Sequence, residues 1–372
     1  TLFRSVVDWA NKYLGPESYA IVYKREGKDP NEQKIAAPKI TPIVTNRDSQ
    51  SEFLTEIQNS KVEPIEPVFV DYKKDMSQFE AQKGVNVLYK KNETNDIFTL
   101  IYVFNTGTEN DPALNLAFDY LSYLGTDKMS AEQIASEMYA IACSFGLSAG
   151  TNQSWIEISG LSENMGKAME IVEGLIAGAK PDEAILENCK ADMLKSRADA
   201  KLNQSRCFGA LQRYLFYGGD FIRRTTLTNP ALEAMSSEML LAKIGELMGK
   251  QHEVLYYGPQ SEKEVTEALA MHHKASAELQ PLDKKHLQLL PTDESKVLMA
   301  QYDAKQLYYL QYANLGKQFD VAADPEITLY NEYFGGGMNS VVFQEMREAR
   351  GLAYSASAYI MQPNYADTKY GY

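Results

Sequence analysis

Cysteine is scarce in this sequence, and its three copies, Cys143, Cys189 and Cys207, lie far apart in 372 residues. No CxxC spacing exists, so neither a disulfide framework nor a zinc ribbon is indicated. Histidine is also rare, with four copies, His252, His272, His273 and His286. None stands in an HxxxH, HxxEH or HExxH spacing, so the two-ligand helix face of a zinc hydrolase is missing. His272 and His273 are adjacent, about 100° apart on a helix, and cannot share one ion well. His252 precedes an apolar strand pattern and reads as structural. No metal site is expected in this chain.

Other signatures are missing too. There is no GxSxG elbow for a serine nucleophile and no Walker or dinucleotide fingerprint. Cys143, read as part of a helix between apolar residues, is expected to be a buried, inert thiol. Positive charge is in deficit, with a net charge of −13, which disfavours nucleic acid or an anionic membrane as a partner. No apolar run reaches the roughly 18–20 residues of a membrane span. The chain opens on Thr1 without a signal peptide or an initiator Met, and stops at Tyr372 inside an expected strand. Both ends read as cut. Cell envelope, periplasm and cytoplasm therefore all stay open as compartments.

What is present suits a globular protein: 44% of residues are hydrophobic and 23% charged. The length suggests two or three domains, at roughly 100–200 residues each. Residues 1–27 read as a helix ended by Gly15-Pro16 and then a strand, the tail of a preceding α+β domain. Residues 28–67 read as an extended linker, since Pro38, Pro42, Pro64 and Pro67 deny it a regular ladder; a short helical piece interrupts it near Ser51–Ile57. Residues 68–260 form one domain, 261–292 a connector, and 293–372 a second, incomplete domain.

The first of these domains opens with strands Val85–Lys90 and Ile97–Asn105, joined by the hairpin-like turn KNETND. Helices are expected from Pro112 to Leu124 and, with a capping box at Ser130, from there to Cys143. Leu147–Gln153 and Trp155–Leu161 form a second hairpin. Helices follow over Ser162–Ala177, Asp182–Phe216 and Ser237–Met248, then the strand His252–Tyr257 and the helix Ser261–His273. Strand patterns return at Val297–Tyr302 and Leu307–Leu315. The order strand–strand–helix–helix–strand thus occurs twice. The fold class is α+β: tandem domains, each a mainly antiparallel sheet with helices on one face.

One stretch carries candidate chemistry: Tyr330–Tyr359, YNEYFGGGMNSVVFQEMREARGLAYSASAY. It reads as helix, glycine turn, helix, glycine turn, strand. Asp324-Pro325 opens the first helix, and Gly335, Gly336 and Gly337 end it by entering left-handed backbone. Asn339 or Ser340 caps the second, which shows an apolar face at Val342, Met346 and Ala349 and stops at Gly351. Arg347 at the helix end and Tyr354 at the strand start can converge, and both are donors suited to a carbonyl or oxyanion. The bland reading stands beside this one. Arg in a last helical turn complements the dipole, and Tyr opening a strand packs well there. Tyr308, Tyr309, Tyr312, Tyr330 and Tyr333 are read either as core packing or as a wall for an extended peptide.

EYFGGGMNSVVFQEMREARGLAYSASA resembles the C-terminal half of the pitrilysin/insulinase family of zinc metallopeptidases, whose zinc motif is an inverted HxxEH. DWANKYLGPESYAIVYKREG is similar to the last helix and strand of that family's second domain, residues 68–260 to its third, and 290–372 to part of its fourth. The resemblance implies a closed chamber built from two halves, one holding zinc and the other offering an Arg and a Tyr seven positions apart. Arg347 and Tyr354 match those positions. Tyr354 would then bond the scissile carbonyl oxygen as it becomes an oxyanion, and Arg347 would anchor a neighbouring carbonyl. Where the zinc helix would stand, LNLAFDYLSYLGT has no His and no Glu, so this chain resembles the metal-free half. The resemblance implies zinc in the complete enzyme and none here, a peptide substrate, and a zinc-bearing N-terminal half as partner, in the same polypeptide or another subunit. The fragment alone would be inactive. A catalytically silent relative, acting as a peptide-binding or scaffold subunit, is the alternative.

Overall fold

The computed structural model describes residues 2–27, 31, 33, 35–36, 38–39, 41, 49–273, 275–276, 278–282, 285–362 and 369–370. The chain divides into two compact units, Thr1–Val68 and Phe69–Tyr372. The first unit has helix α1 (Leu2–Tyr13) and helix α2 (Glu52–Asn59). Ser51 caps α2 by accepting from Leu54 N at 3.1 Å. Residues 19–24, expected as a strand, run without a ladder, and Tyr19, Ile21, Val22 and Tyr23 stay exposed. A strand forms only beside a partner strand, and the described residues of this unit supply none. Lys28 and Pro42 of the linker, like Tyr372 of the last expected strand, lie outside the described residues.

The second unit is built on a six-stranded sheet: β1 (Ser77–Gln82), β2 (Val85–Lys91), β3 (Ile97–Phe104), β4 (Cys143–Ala149), β5 (Ser154–Leu161) and β6 (His252–Gly258). Their spatial order is β1-β2-β6-β3-β5-β4. Alternation decides the faces: Val85, Val87, Phe98, Leu100, Tyr102, Phe104, Ile156, Ile158, Val254 and Tyr256 are buried. The helical layer comprises α3 (Leu114–Leu121), α4 (Ala131–Ala140), α5 (Met165–Gly178), α6 (Glu183–Lys201), α7 (Gln204–Tyr217), the short α8 (Gly219–Thr225) and α9 (Asn229–Glu233), α10 (Ser237–Met248) and α11 (Glu262–His272). The expected capping box forms on α4, with Ser130 Oγ accepting from Gln133 N and Gln133 Oε1 from Ser130 N. This is the α+β architecture expected, with a mostly antiparallel sheet.

Four local expectations are corrected. β2 and β3 are not a hairpin, because β6 lies between them, parallel to β2 and antiparallel to β3. The Asn-rich turn is real, but it bridges two strand spacings. Asn92 Oδ1 accepts from Thr94 N at 3.0 Å, Asn92 Nδ2 donates to Ile97 O, and Asn92 N donates to Gly258 O on β6. The expected long helix 182–216 breaks at Leu202–Asn203, where Asn203 caps α7 through Arg206 N at 3.0 Å. Cys143 opens β4 instead of ending α4, since Ala142 takes a left-handed φ of 50° that stops the helix. Finally, residues 297–302 and 307–315 are extended but unpaired, and β1 was not expected at all. Among the described residues beyond 292 only β7 (Lys317–Gln318) and β8 (Lys369–Tyr370) pair. No segment there plays the part that β6 plays between β2 and β3, so those two apolar stretches have nothing to ladder against.

A polar chain crosses the core beneath β6. His252 Nδ1 lies 2.8 Å from Lys250 O, an atom that only accepts, so Nδ1 carries the proton. Neutral His252 therefore accepts at Nε2 from His273 Nε2, 2.8 Å away, and His273 Nδ1 meets Glu173 Oε1 at 2.6 Å. Burial pulls the His252 pKa down to about 4, with the neighbouring His273 adding to the effect. In the unfolded chain the same group titrates near 6.5. Between these values the unfolded state binds more protons, so stability rises with pH through the window and is lost as pH falls through it. The contribution is on the order of 3 kcal/mol. Denaturant midpoints measured from pH 7 down to pH 4 are expected to fall, and to fall less steeply in His252→Gln. An identical slope in the variant would show that His252 is not the group responsible.

Candidate functional site

The segment that follows Asp320 is a helical hairpin closed by an extended return. Helix α12 (Asp324–Asn331) runs into a turn of wider, π geometry over Glu332–Gly336, and a second wide helix covers Phe343–Ala349. Such π segments often mark functional sites. Ser340 is buried and caps the second helix: its Oγ accepts from Phe343 N at 3.4 Å and its O from Gln344 N at 3.0 Å. Gly351 takes φ +58°, the left-handed turn expected there. Its N–H bonds Arg347 O at 3.0 Å, and Leu352 N bonds Met346 O at 2.8 Å.

Gly335 has a different reason from the one expected. It shows no positive φ. A Cβ built on it would meet Ala358 O at 1.9 Å and Ala358 N at 2.4 Å. Glycine is required because two backbones touch, not because the backbone turns left. Beside that contact Asn331 mimics a strand partner, donating from Nδ2 to Ile360 O at 2.9 Å and accepting at Oδ1 from Ile360 N at 2.7 Å. The return segment 352–360 is thus pinned at Ile360 by Asn331, and the stretch expected as a strand from Leu352 to Tyr359 enters no sheet among the described residues.

Within this frame Arg347 and Tyr354 meet. The Arg347 guanidinium lies 4.5 Å from the Tyr354 ring centroid and 4.7 Å from that of Phe343. Its Nε is 3.8 Å from Glu348 Oε1. The ring of Tyr354 stays 85% exposed. Two ring contacts orient the guanidinium, and each such contact at an exposed site stabilises by about 0.5–1 kcal/mol. The tyrosines expected to gather nearby do not form one wall. Tyr308 packs on Phe208 and Tyr312 on Phe216, both on α7, while Tyr330 stacks on Phe334.

The residues present do not fit a zinc ion. Helix α3, LNLAFDYL, turns Leu114, Leu116, Ala117, Phe118, Tyr120 and Leu121 into the core. Its two polar side chains are exposed, with Asn115 Nδ2 bonding Asp119 Oδ2 at 3.3 Å. The Tyr120 hydroxyl is committed to Ser237 Oγ at 2.7 Å and Asp182 N at 2.8 Å. Among the described residues no group of three or more His, Cys, Asp or Glu side chains could hold a metal. No helix among them is long and apolar enough to cross a membrane.

Residues 251–371 match the family described as the peptidase M16 inactive domain. An uncharacterized zinc protease of Streptomyces coelicolor is 24% identical over 264 residues, covering 68% of this chain and 57% of that protein. Over residues 251–371 the chain is similar to the M16 peptidases. This chain spans less than two thirds of the length of that zinc-protease relative. The peptidase M16 inactive domain from Pseudomonas fluorescens has the same fold, with a TM-score of 0.62 at 17% identity, covering 80% of this chain and 73% of that one. The periplasmic protease PqqL from Escherichia coli matches with a TM-score of 0.59 at 15% identity, over 82% of this chain but 36% of its own. M16 is the pitrilysin/insulinase family that the Gly335–Tyr359 segment resembles.

The Asn331 clamp and the buried Glu173–His273–His252 chain escaped sequence reading. Glu173 alone left a signal, as an acid at a core-facing position of α5. Gly335→Ala is expected to force the return segment off the hairpin, at a cost of about 1–3 kcal/mol for the overpacking. Hydrogen exchange at the Ile360 amide would speed up; unchanged protection there would contradict the close approach.

Proposed function

We propose that this chain is the metal-free half of a zinc endopeptidase, closing a chamber over an extended peptide. One observation carries the reading: the exposed Tyr354 phenol stands over the Arg347 guanidinium, 4.5 Å from ring centroid to charge, on an elbow whose shape Gly335 and Gly351 impose. The Tyr354 hydroxyl donates to the scissile carbonyl oxygen and tightens its bond as that oxygen gains charge. The Arg347 guanidinium, in contact with the Phe343 and Tyr354 rings, bonds an adjacent peptide carbonyl and adds positive potential where negative charge develops. Neither residue activates water. Zinc would be held by the other half, the expected partner of this chain in the same polypeptide or in a second subunit, and would supply the Lewis acid this chain lacks.

An extended peptide suits this arrangement, because an unpaired backbone presents carbonyls at regular spacing to two fixed donors. The family likeness supports the reading through the name of the Streptomyces relative, a zinc protease.

In the complete enzyme, Tyr354→Phe is expected to lower kcat by about 100- to 1000-fold with little change in KM, the loss typical of one oxyanion donor. Arg347→Ala is expected to raise KM as well, since it removes a ground-state anchor. A Tyr354→Phe enzyme with unchanged kcat would remove the role assigned to the phenol. Absence of peptidase activity in the complete assembly, with peptide binding retained, would instead favour the scaffold alternative.

A further inference from the structure

The helical layer covers one face of the six-stranded sheet. The alternation that buries Phe98, Leu100 and Tyr102 turns the intervening residues of each strand outward, and none of those is buried. A sheet face left to water is expected to be polar. The centre of this one is not. The register sets Glu253, Val103 and Trp155 side by side on β6, β3 and β5. In the next outward row it sets Leu255, Ile101 and Glu157 side by side on the same strands. Two carboxylates thus stand at opposite corners of an apolar patch, with an indole and a leucine at the other two. Neither Glu157 nor Glu253 makes an ion pair or a side-chain hydrogen bond among the described residues. Of the outward positions on the six strands only Lys90 is basic, against Glu80, Glu157 and Glu253.

We infer that this face seats a cationic, part-apolar peptide in extended form, with the pattern basic-x-apolar-x-basic. Charge and spacing argue for it together. At a strand separation of about 4.8 Å and a rise of about 3.3 Å per residue, the backbones at Glu253 and Glu157 lie roughly 12 Å apart. In an extended peptide, side chains four residues apart share a face and are separated by roughly 13 Å. A Lys or Arg at each of those two positions meets one carboxylate, and the side chain midway between them lies over Val103 and Ile101. Trp155 offers a ring to the cation near Glu157. The same carboxylates repel nucleic acid and anionic lipid, and a small cation can meet only one of them at a time. This names the class of peptide that the chamber reading leaves open. That the peptide is a substrate rests on that reading; its binding to this face does not.

The test uses the full chain with Trp9→Phe, which leaves Trp155 as its one tryptophan. A short peptide with Lys at i and i+4 and Leu between them is expected to change Trp155 emission saturably, and added salt to weaken the binding. Glu157→Gln and Glu253→Gln each lower the affinity about two- to fivefold, the range of partly exposed ion pairs. The double variant Glu157→Lys, Glu253→Lys rejects this peptide and binds its counterpart with Glu at i and i+4, which a misfolded variant could not do. No saturable change in Trp155 emission, an affinity indifferent to both glutamates, or equal binding of a peptide whose two Lys are adjacent would each overturn the proposal. So would a complete enzyme in which the other half already covers this face and Trp155 does not respond. A peptide that binds as described but is not cleaved by the complete enzyme supports the seat and counts against the chamber reading instead.

Discussion

In the candidate site Gly335 lies so close to the backbone of Ala358 that no Cβ can be placed between them. That contact lets the return segment lie against the hairpin, and the paired hydrogen bonds between Asn331 and Ile360 hold it there. Gly351 supplies the reversal that starts the return. Three local constraints, a touching backbone, an amide clamp and one left-handed residue, therefore decide where Tyr354 falls. It falls over Arg347. Cation and ring do little for overall stability at an exposed site; their value lies in orienting a phenol and a guanidinium together.

The six-stranded sheet shows a second economy. Inserting β6 between β2 and β3 carries the chain from the sheet centre straight into α11 and the connector. The connector is then tied down: His286 Nδ1 and Leu287 N both reach the buried carboxylate of Glu109, each at 2.9 Å, and Leu290 N bonds Phe216 O at 2.7 Å. The buried Glu173–His273–His252 chain performs a similar service from below, linking α5, the end of α11 and the start of β6. Buried polar groups cost stability unless satisfied, and satisfied ones specify a unique arrangement. α3 shows how a helix is given over to packing: its apolar side fills the core and its tyrosine is bonded twice.

Much of this was legible in the residues. Alternation in β3 and β5, the Ser130 capping box and the extent of α10 follow from local chemistry, and the structure reproduces them. The meeting of Arg347 and Tyr354 was legible as well, because helix end, Gly351 and return are consecutive. What failed depends on distance along the chain. The pairing of β2 with β6 joins segments far apart in sequence, and no local pattern distinguishes it from a hairpin between β2 and β3. The break at Asn203 was local but misread, since an Asn within a helical pattern is also a strong cap. The role of Gly335 could be seen as a need for glycine but not as the right need, because the atom it avoids belongs to Ala358.

The family likeness and the elbow point the same way: a fold of the M16 type whose α3 has no His and no Glu, with two exposed or half-exposed donors grouped elsewhere. The central claim is that the Tyr354 hydroxyl meets the carbonyl oxygen at the bond being cut. The most direct measurement is a crystal structure of the complete enzyme with a bound peptide analogue of the tetrahedral intermediate. The account predicts the Tyr354 hydroxyl within about 2.6–3.0 Å of the analogue's oxyanion-mimicking oxygen, as expected for a short charge-assisted bond, with Arg347 on a neighbouring carbonyl. A bound analogue whose oxygen is served by other donors, with Tyr354 turned away from it, would contradict the account.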